Sequence, residues 1–266
     1  MNEALQVDLA EVFSPPRVTA EGRSWGLRVG EAMDLLTGWD FNKKADKKRA
    51  QEYIRKYRPK LIIGSPSCTA FSLLQNLNPD SMNHSAEKQR KWREGCRHLK
   101  FVVELYRQQM AAGRWFLHEH PAGATSWGMG EVRRLMEMSE VQVTVADQCM
   151  YGLVTNGADG REEPAQKKTK FMTNSQCLAN ELRRECDGSH SHQHLVGGRA
   201  IRAARYPKGL CSAICKGLME EMRRVKEGLK GLFTVRQGDK VEKQEEHEDW
   251  NLEWAVDDLT GYELDG

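Results

Sequence analysis

The feature that most constrains this chain is an alternation of short apolar runs with amphipathic stretches, with the polar residues of chemical interest just beyond the apolar runs. Residues 9–13 (LAEVF) read as a buried strand, and Ser14, Pro15 and Pro16 end it because proline has no N–H to give to a sheet ladder. Thr19 can cap a short helix that stops near Gly26. A second strand over 27–34 ends at Asp34, a basic amphipathic helix over 44–57 stops before Pro59, and 60–64 form a third strand buried on both faces. A turn-rich stretch, 65–83, leads into a long helix over 85–112, whose apolar stripe is Leu99, Val102, Val103, Leu105 and Tyr106. Strand four (114–118), a helix (131–139) and strand five (141–145) follow.

Strands that alternate with helices imply an α/β fold, a Rossmann-like doubly wound and mostly parallel sheet. Ligands of such sheets sit beyond the carboxyl ends of the strands, which is where Asp34, Cys68, Glu119 and Gln148 fall. After Gln148 the period is lost. Residues 169–173 can form a strand, 177–194 are rich in cysteine and histidine, and 209–229 form a helix with Leu210, Ile214, Leu218 and Met222 on one face. The expected organisation is a core over 1–175, a Cys/His segment over 176–200, a C-terminal helical region packing on the core over 201–234, and a disordered acidic tail over 235–266.

Charge sharpens that division. The formal net charge of +2 hides a tail with three basic and eleven acidic residues, net −8, which leaves +10 on the remainder. A basic body suits a nucleic-acid surface, DNA being the expected partner, and a solvated body with an acidic end is the plainer account. The longest aliphatic run is Leu61-Ile62-Ile63, far short of a bilayer span, and Glu3 and Asp8 do not suit a signal peptide. Seven unevenly spaced cysteines read as free thiols of a reducing compartment, cytosol or nucleus.

The loop GSPSCTAFS (64–72) puts Cys68 in a proline-bounded turn directly after a strand, where a thiolate can act as a nucleophile. This loop resembles the Pro-Pro-Cys…Phe-Ser loop of DNA cytosine-5 methyltransferases. FLHEHP (116–121) resembles their Glu-Asn strand end, and DQCMYGL with KKTKFMTNS resembles their later Tyr-Gly segment and basic strand. The resemblance covers roughly residues 10–175, in the family's order. It implies a methyltransferase-type sheet and methyl transfer from S-adenosylmethionine to cytosine, with Cys68 adding to C6 of the ring and Glu119 sharing a proton at N3. It further implies that Phe13, Ser14, Asp34, Asp40 and Pro66 hold the cofactor. Ser72, Gln148, Lys168 and Lys170 would hold a nucleic-acid substrate, whose target base is flipped out or already single-stranded. The alternative is a catalytically inactive relative that binds nucleic acid, or serves as a scaffold, on the same sheet. A cysteine hydrolase pairing Cys68 with His118 or His120 is a third reading.

Two departures from the family stand out. Its first loop is glycine-rich, whereas here the loop reads FSPPR and its two prolines remove amide donors; Ser67 also replaces the second proline of the cysteine loop. Each residue has a plain structural account too: Cys68 as a small buried hydrophobe, Glu119 as an ion-paired group, Asp34 as a turn cap. For a metal, Cys186, His190, Cys211 and Cys215 have usable spacing, but burial in a helix explains the last two equally well, and zinc is not expected. The tail, WAVDDLTGYELD (254–265), resembles a segment of copia-like retroelement polyproteins. With SPPRVT, FLHEHP and FMTNS, it makes the chain look like a module of such elements in dinoflagellates.

Overall fold

The third apolar run becomes the hub of the sheet: Leu61, Ile62 and Ile63 are all fully buried, because helices cover both faces of the strand they form. The computed structural model describes residues 6–72, 85–157, 160–195, 203 and 205–236. Its central sheet is built from β1 (Leu9–Val12), β2 (Val29–Met33), β3 (Leu61–Gly64), β4 (Trp115–Pro121), β5 (Gln142–Asp147) and β8 (Lys168–Thr173). The order is β2-β1-β3-β4-β8-β5, with β1, β2, β3 and β4 parallel and β8 antiparallel to both of its neighbours. The chain is therefore α/β with a mostly parallel six-stranded sheet. Two short strands, β6 (Val154–Asn156) and β7 (Glu162–Pro164), pair separately.

The α-helices are α1 (Val18–Ser24), α2 (Lys44–Tyr57), α3 (Ser85–Ala111), α4 (Gly130–Met136), α5 (Gln176–Glu181) and α6 (Lys208–Arg236), with short 3-10 turns between elements. The expected stripe of α3 is buried in full, packing with Phe116 of β4 on one face of the sheet. Leu210, Ile214 and Leu218 of α6 pack on the other face against Leu9, Leu61, Ile63, Leu117 and Phe171. A buried leucine of this kind contributes about 1.5–3 kcal/mol relative to exposure. The described residues up to Val225 form one compact unit; a second begins at Lys226, where only residues through Arg236, the end of α6, are described. The retroelement-like tail segment and nearly all of the expected acidic tail lie outside the described residues.

The structure corrects several boundaries. β1 stops at Val12, and Phe13 turns left-handed with φ 57°, a conformation that costs a non-glycine residue about 1–2 kcal/mol. Its ring is held against Phe41 at 4.5 Å and His98 at 4.9 Å. β4 runs on to Pro121, so Glu119 sits inside the strand and not beyond it. The Cys/His stretch contains a helix, α5, and the β6–β7 pair is new; neither shows a run of residues long enough for periodicity to register.

One glycine is fixed by packing. A Cβ on Gly64, the last residue of β3, would overlap the Tyr106 hydroxyl and the Val102 side chain, and that hydroxyl is 3.0 Å from Nδ1 of buried His118. Gly64→Ala is expected to lower stability by about 1–3 kcal/mol through overpacking, seen as a lower urea midpoint with an unchanged slope.

Candidate active site at the ends of β3 and β4

β2 and β3 flank β1 on opposite sides, so the order of connections reverses at the β1–β3 boundary, and the loops after these strands diverge to leave a crevice. The loop after β3 carries Cys68, which starts a short 3-10 turn at Thr69–Phe71 and is anchored by buried Phe71. His120 of β4 holds the same loop: its Nε2 donates to the Pro66 carbonyl at 2.8 Å, and its Nδ1 accepts from the Ser126 hydroxyl at 2.6 Å. Burial keeps this imidazole below the usual histidine range, against the opposing pull of Glu119, so it stays neutral and its tautomer is fixed by its two partners.

Strand alternation sends Phe116, His118 and His120 to the α3 face and Leu117 and Glu119 to the α6 face. Glu119 is buried, accepting from the Tyr206 hydroxyl at Oε2 (3.2 Å), while Oε1 has no hydrogen-bond partner among the described residues and lies 3.9 Å from the Lys167 ammonium. Because the single Tyr206 proton goes to the carboxylate, Ser65 donates its own to the Tyr206 oxygen at 2.6 Å. Burial, then Glu119, pushes the phenol of Tyr206 well above its ordinary range. Cys68 belongs to the same electrostatic neighbourhood. Burial raises its thiol, the charge of Glu119 raises it further, and Lys167 pulls the other way. The structure therefore joins Glu119 to Lys167 and Tyr206, two groups the sequence reading missed, and puts the Cys68 thiol under the charge of the first two. Lys167 stands one residue before the expected lysine pair; nothing local singles out Tyr206.

The other expected residues divide. Lys168 faces away toward Glu185 (3.2 Å), and Lys170 sits over the Trp127 ring at 5.1 Å, so Lys167 and not this pair reaches the carboxylate. Gln148 is wholly buried and its amide donates to Thr169 at 2.9 Å, which removes it from any substrate surface. Ser72 lines a cavity of about 700 Å³ between the Cys68 loop and α3, with Ser67, Thr69, Lys91, Trp92 and His98. Asp34 caps its own turn, accepting from the Leu36 amide at 3.0 Å. Asp40 is held below the usual carboxylate range chiefly by the Asn42 amide, with Lys43 3.6 Å away.

The loop after β1 is organised around a residue passed over as part of a strand. Glu11, fully buried, takes the amides of Arg17 (3.0 Å) and Thr19 (2.8 Å) and the hydroxyls of Ser14 (2.6 Å) and Thr19 (2.7 Å). Pro15 and Pro16 have no N–H. An internal carboxylate thus already occupies the donors that would face the acidic end of S-adenosylmethionine, and this loop does not fit that cofactor.

The histidines do not make a hydrolase dyad: His118 meets Tyr106, and both nitrogens of His120 are engaged elsewhere. Cys211 and Cys215 lie buried in the α6 packing, where burial pushes each thiol up to about 12, so the two cysteines whose spacing was usable do not join Cys186 and His190. Cys186 and His190 instead meet Cys149 and His192. No described helix is long and apolar enough to cross a membrane. Compared with protein-family models and with curated proteins, the sequence matches none.

Proposed function

We propose that this chain is a divergent DNA cytosine-5-methyltransferase-like protein that engages a cytosine ring in nucleic acid through Cys68, with Glu119 as its acidic partner. The observation that carries the reading is the buried Glu119 Oε1 of β4, an acceptor without a hydrogen-bond partner among the described residues, whose charge acts on the thiol of the loop after β3. A buried acceptor left open costs about 1–3 kcal/mol, and the exocyclic amine of cytosine, or its N3 once protonated, would satisfy it. A doubly wound sheet with one reversed strand is compatible with the S-adenosylmethionine-dependent type of methyltransferase fold.

The chemistry of the residues is addition. The thiol gives its proton to solvent and sulfur forms a bond to C6, the C5–C6 π pair moves through C4 to N3, and N3 takes up one proton from solvent, which the Glu119 carboxylate holds by sharing it. Since the Cys68 thiol is raised by burial and by Glu119, its reactive form is scarce at neutral pH and the addition speeds up as pH rises. His120 and Ser126 hold the loop that aims the sulfur. The start of α3 brings Lys88, Arg90, Lys91 and exposed Trp92 to the wall of the neighbouring cavity, a mixture of cations and a ring that suits a single strand. Glu11 holds the donors of the first loop, so the loop offers none of them to a methyl donor. That same feature favours the second reading, a protein that binds nucleic acid without methylating it.

The test is covalent capture on single-stranded DNA carrying 2-pyrimidinone, a base that adds thiols without needing a methyl donor. The expected result is a salt-sensitive complex with the adduct mapped to Cys68 by peptide mass spectrometry; capture elsewhere, or none with wild-type protein, overturns the proposal. Calorimetry with S-adenosylmethionine checks the first loop: binding that is lost on mutation of Asp34 would overturn the conclusion drawn from Glu11.

A further inference from the structure

Two segments far apart in the chain meet at the carboxyl end of β5. Cys149 comes from the 3-10 turn that follows the strand, and Cys186, His190 and His192 come from the loop after α5. Their ligand atoms all lie within 4.8 Å of one another. The Cys186 sulfur is 3.6 Å from Nε2 of His190 and 3.5 Å from Nε2 of His192, and the latter nitrogen is 3.3 Å from the Cys149 sulfur.

These distances have a specific meaning. A tetrahedral zinc ion with sulfur ligands at about 2.3 Å and nitrogen ligands at about 2.0–2.1 Å separates sulfur from nitrogen by about 3.6 Å. The three sulfur–nitrogen contacts lie close to that value. We infer that Cys149, Cys186, His190 and His192 form a four-ligand site for a tetrahedral divalent metal ion, zinc by its ligand chemistry. Two thiolates and two imidazoles select zinc over the hard, oxygen-seeking cations, and four protein ligands leave no position for water or substrate, which makes the site structural.

The surroundings are built for it. Asp187 accepts from the Ser189 amide at 2.9 Å and Gly188 takes φ 76°, a tight turn that carries the chain back so that His190 lies over Cys186. The Gly188 amide donates to the Cys186 sulfur at 3.4 Å, and the Cys186 amide donates to Asp147 at 2.9 Å, so both sides of the ligand are oriented by backbone donors. The consequence reaches toward the crevice. Gln193, next to ligand His192, exchanges backbone hydrogen bonds with Pro164 (2.8 Å) and Gln166 (3.0 Å), and Lys167 follows directly. The metal would clamp the strap that leads to the lysine facing Glu119. The assignment does not depend on what that crevice does.

The test uses the full chain, purified with zinc and washed with a weak chelator. The expected result is about one zinc per chain. Cobalt exchange should give the visible bands of a tetrahedral ion together with thiolate-to-cobalt charge transfer, and X-ray absorption should show two sulfur and two nitrogen neighbours at the distances above. Cys186→Ser and His192→Gln should each lower occupancy at least about tenfold, whereas Cys177→Ser, outside the cluster, should leave it unchanged. Wild-type protein that holds less than about a tenth of an equivalent after reconstitution, an octahedral cobalt spectrum, or a Cys149–Cys186 disulfide in protein purified under reducing conditions would overturn the assignment. If the variants fail to fold, the wild-type cobalt spectrum decides alone.

Discussion

Glu119→Gln is expected to move two measurements of Cys68 in opposite directions. Covalent capture on 2-pyrimidinone DNA should fall by about 10²–10⁴-fold, the usual contribution of a placed proton donor or acceptor. Alkylation of the same thiol by iodoacetamide in the free protein should speed up, by roughly two- to tenfold at a pH below the thiol's own value. The sign follows from electrostatics: the Glu119 charge is the largest influence after burial that holds the Cys68 thiol up, and glutamine removes it. Lys167→Met provides the mirror image, since the ammonium pulls the thiol down and its loss should slow alkylation. A carboxylate that merely supports the fold would slow both reactions together or neither. Cys68→Ser serves as the blank for each assay. Faster alkylation with undiminished capture would remove Glu119 from the chemistry while leaving it a neighbour of the thiol.

The second large effect concerns stability. Glu221 of α6 is fully buried and takes the Ser175 hydroxyl at 2.5 Å, the Cys177 amide at 2.9 Å and the Arg224 guanidinium at 2.6 Å. Ser175 in turn caps α5 through the Leu178 amide, so one carboxylate ties α6 to the start of α5. Glu221→Ala leaves the Ser175 and Cys177 donors unpaired and is expected to cost about 2–4 kcal/mol, measured by urea denaturation. Burial works to raise this carboxyl, but the three donors prevail and hold it below the ordinary glutamate range. A lowered folded-state value gives stability that is present above the unfolded value and lost as pH falls through the folded one. The gap between wild type and Glu221→Gln should therefore be full near neutrality and shrink as acid is added through the carboxylate range. A gap that widens in acid would contradict the donor set seen here.

Legibility differed from residue to residue. The stripe of α3 and the aliphatic centre of β3 could be read because burial repeats with the period of the element, which is a property of neighbouring residues alone. The bounds of β1 and β4 were misread by one to three residues. Phe13 leaves the strand because a distant aromatic cluster holds its ring, and β4 extends to Pro121 because β8 pairs alongside it. Asp34 is the case where the plain account, a turn cap, is what the fold shows. Spacing pointed to Cys211 and Cys215 as partners of Cys186 and His190, yet helical packing buries the first two, and Cys149, thirty-seven residues before Cys186, takes its place beside His192.

The sequence by itself determined the class of fold and the positions of Cys68 and Glu119 near the ends of neighbouring strands, because periodicity and strand-end placement are encoded locally. Only the tertiary structure decided which groups share their space. Lys167 and Tyr206 meet Glu119 across forty-eight and eighty-seven residues of chain, Glu11 fills the first loop from within, and the Cys/His set closes across three strands and a helix. Charge, desolvation and metal geometry act through distance in space, and distance along a chain carries little of that information.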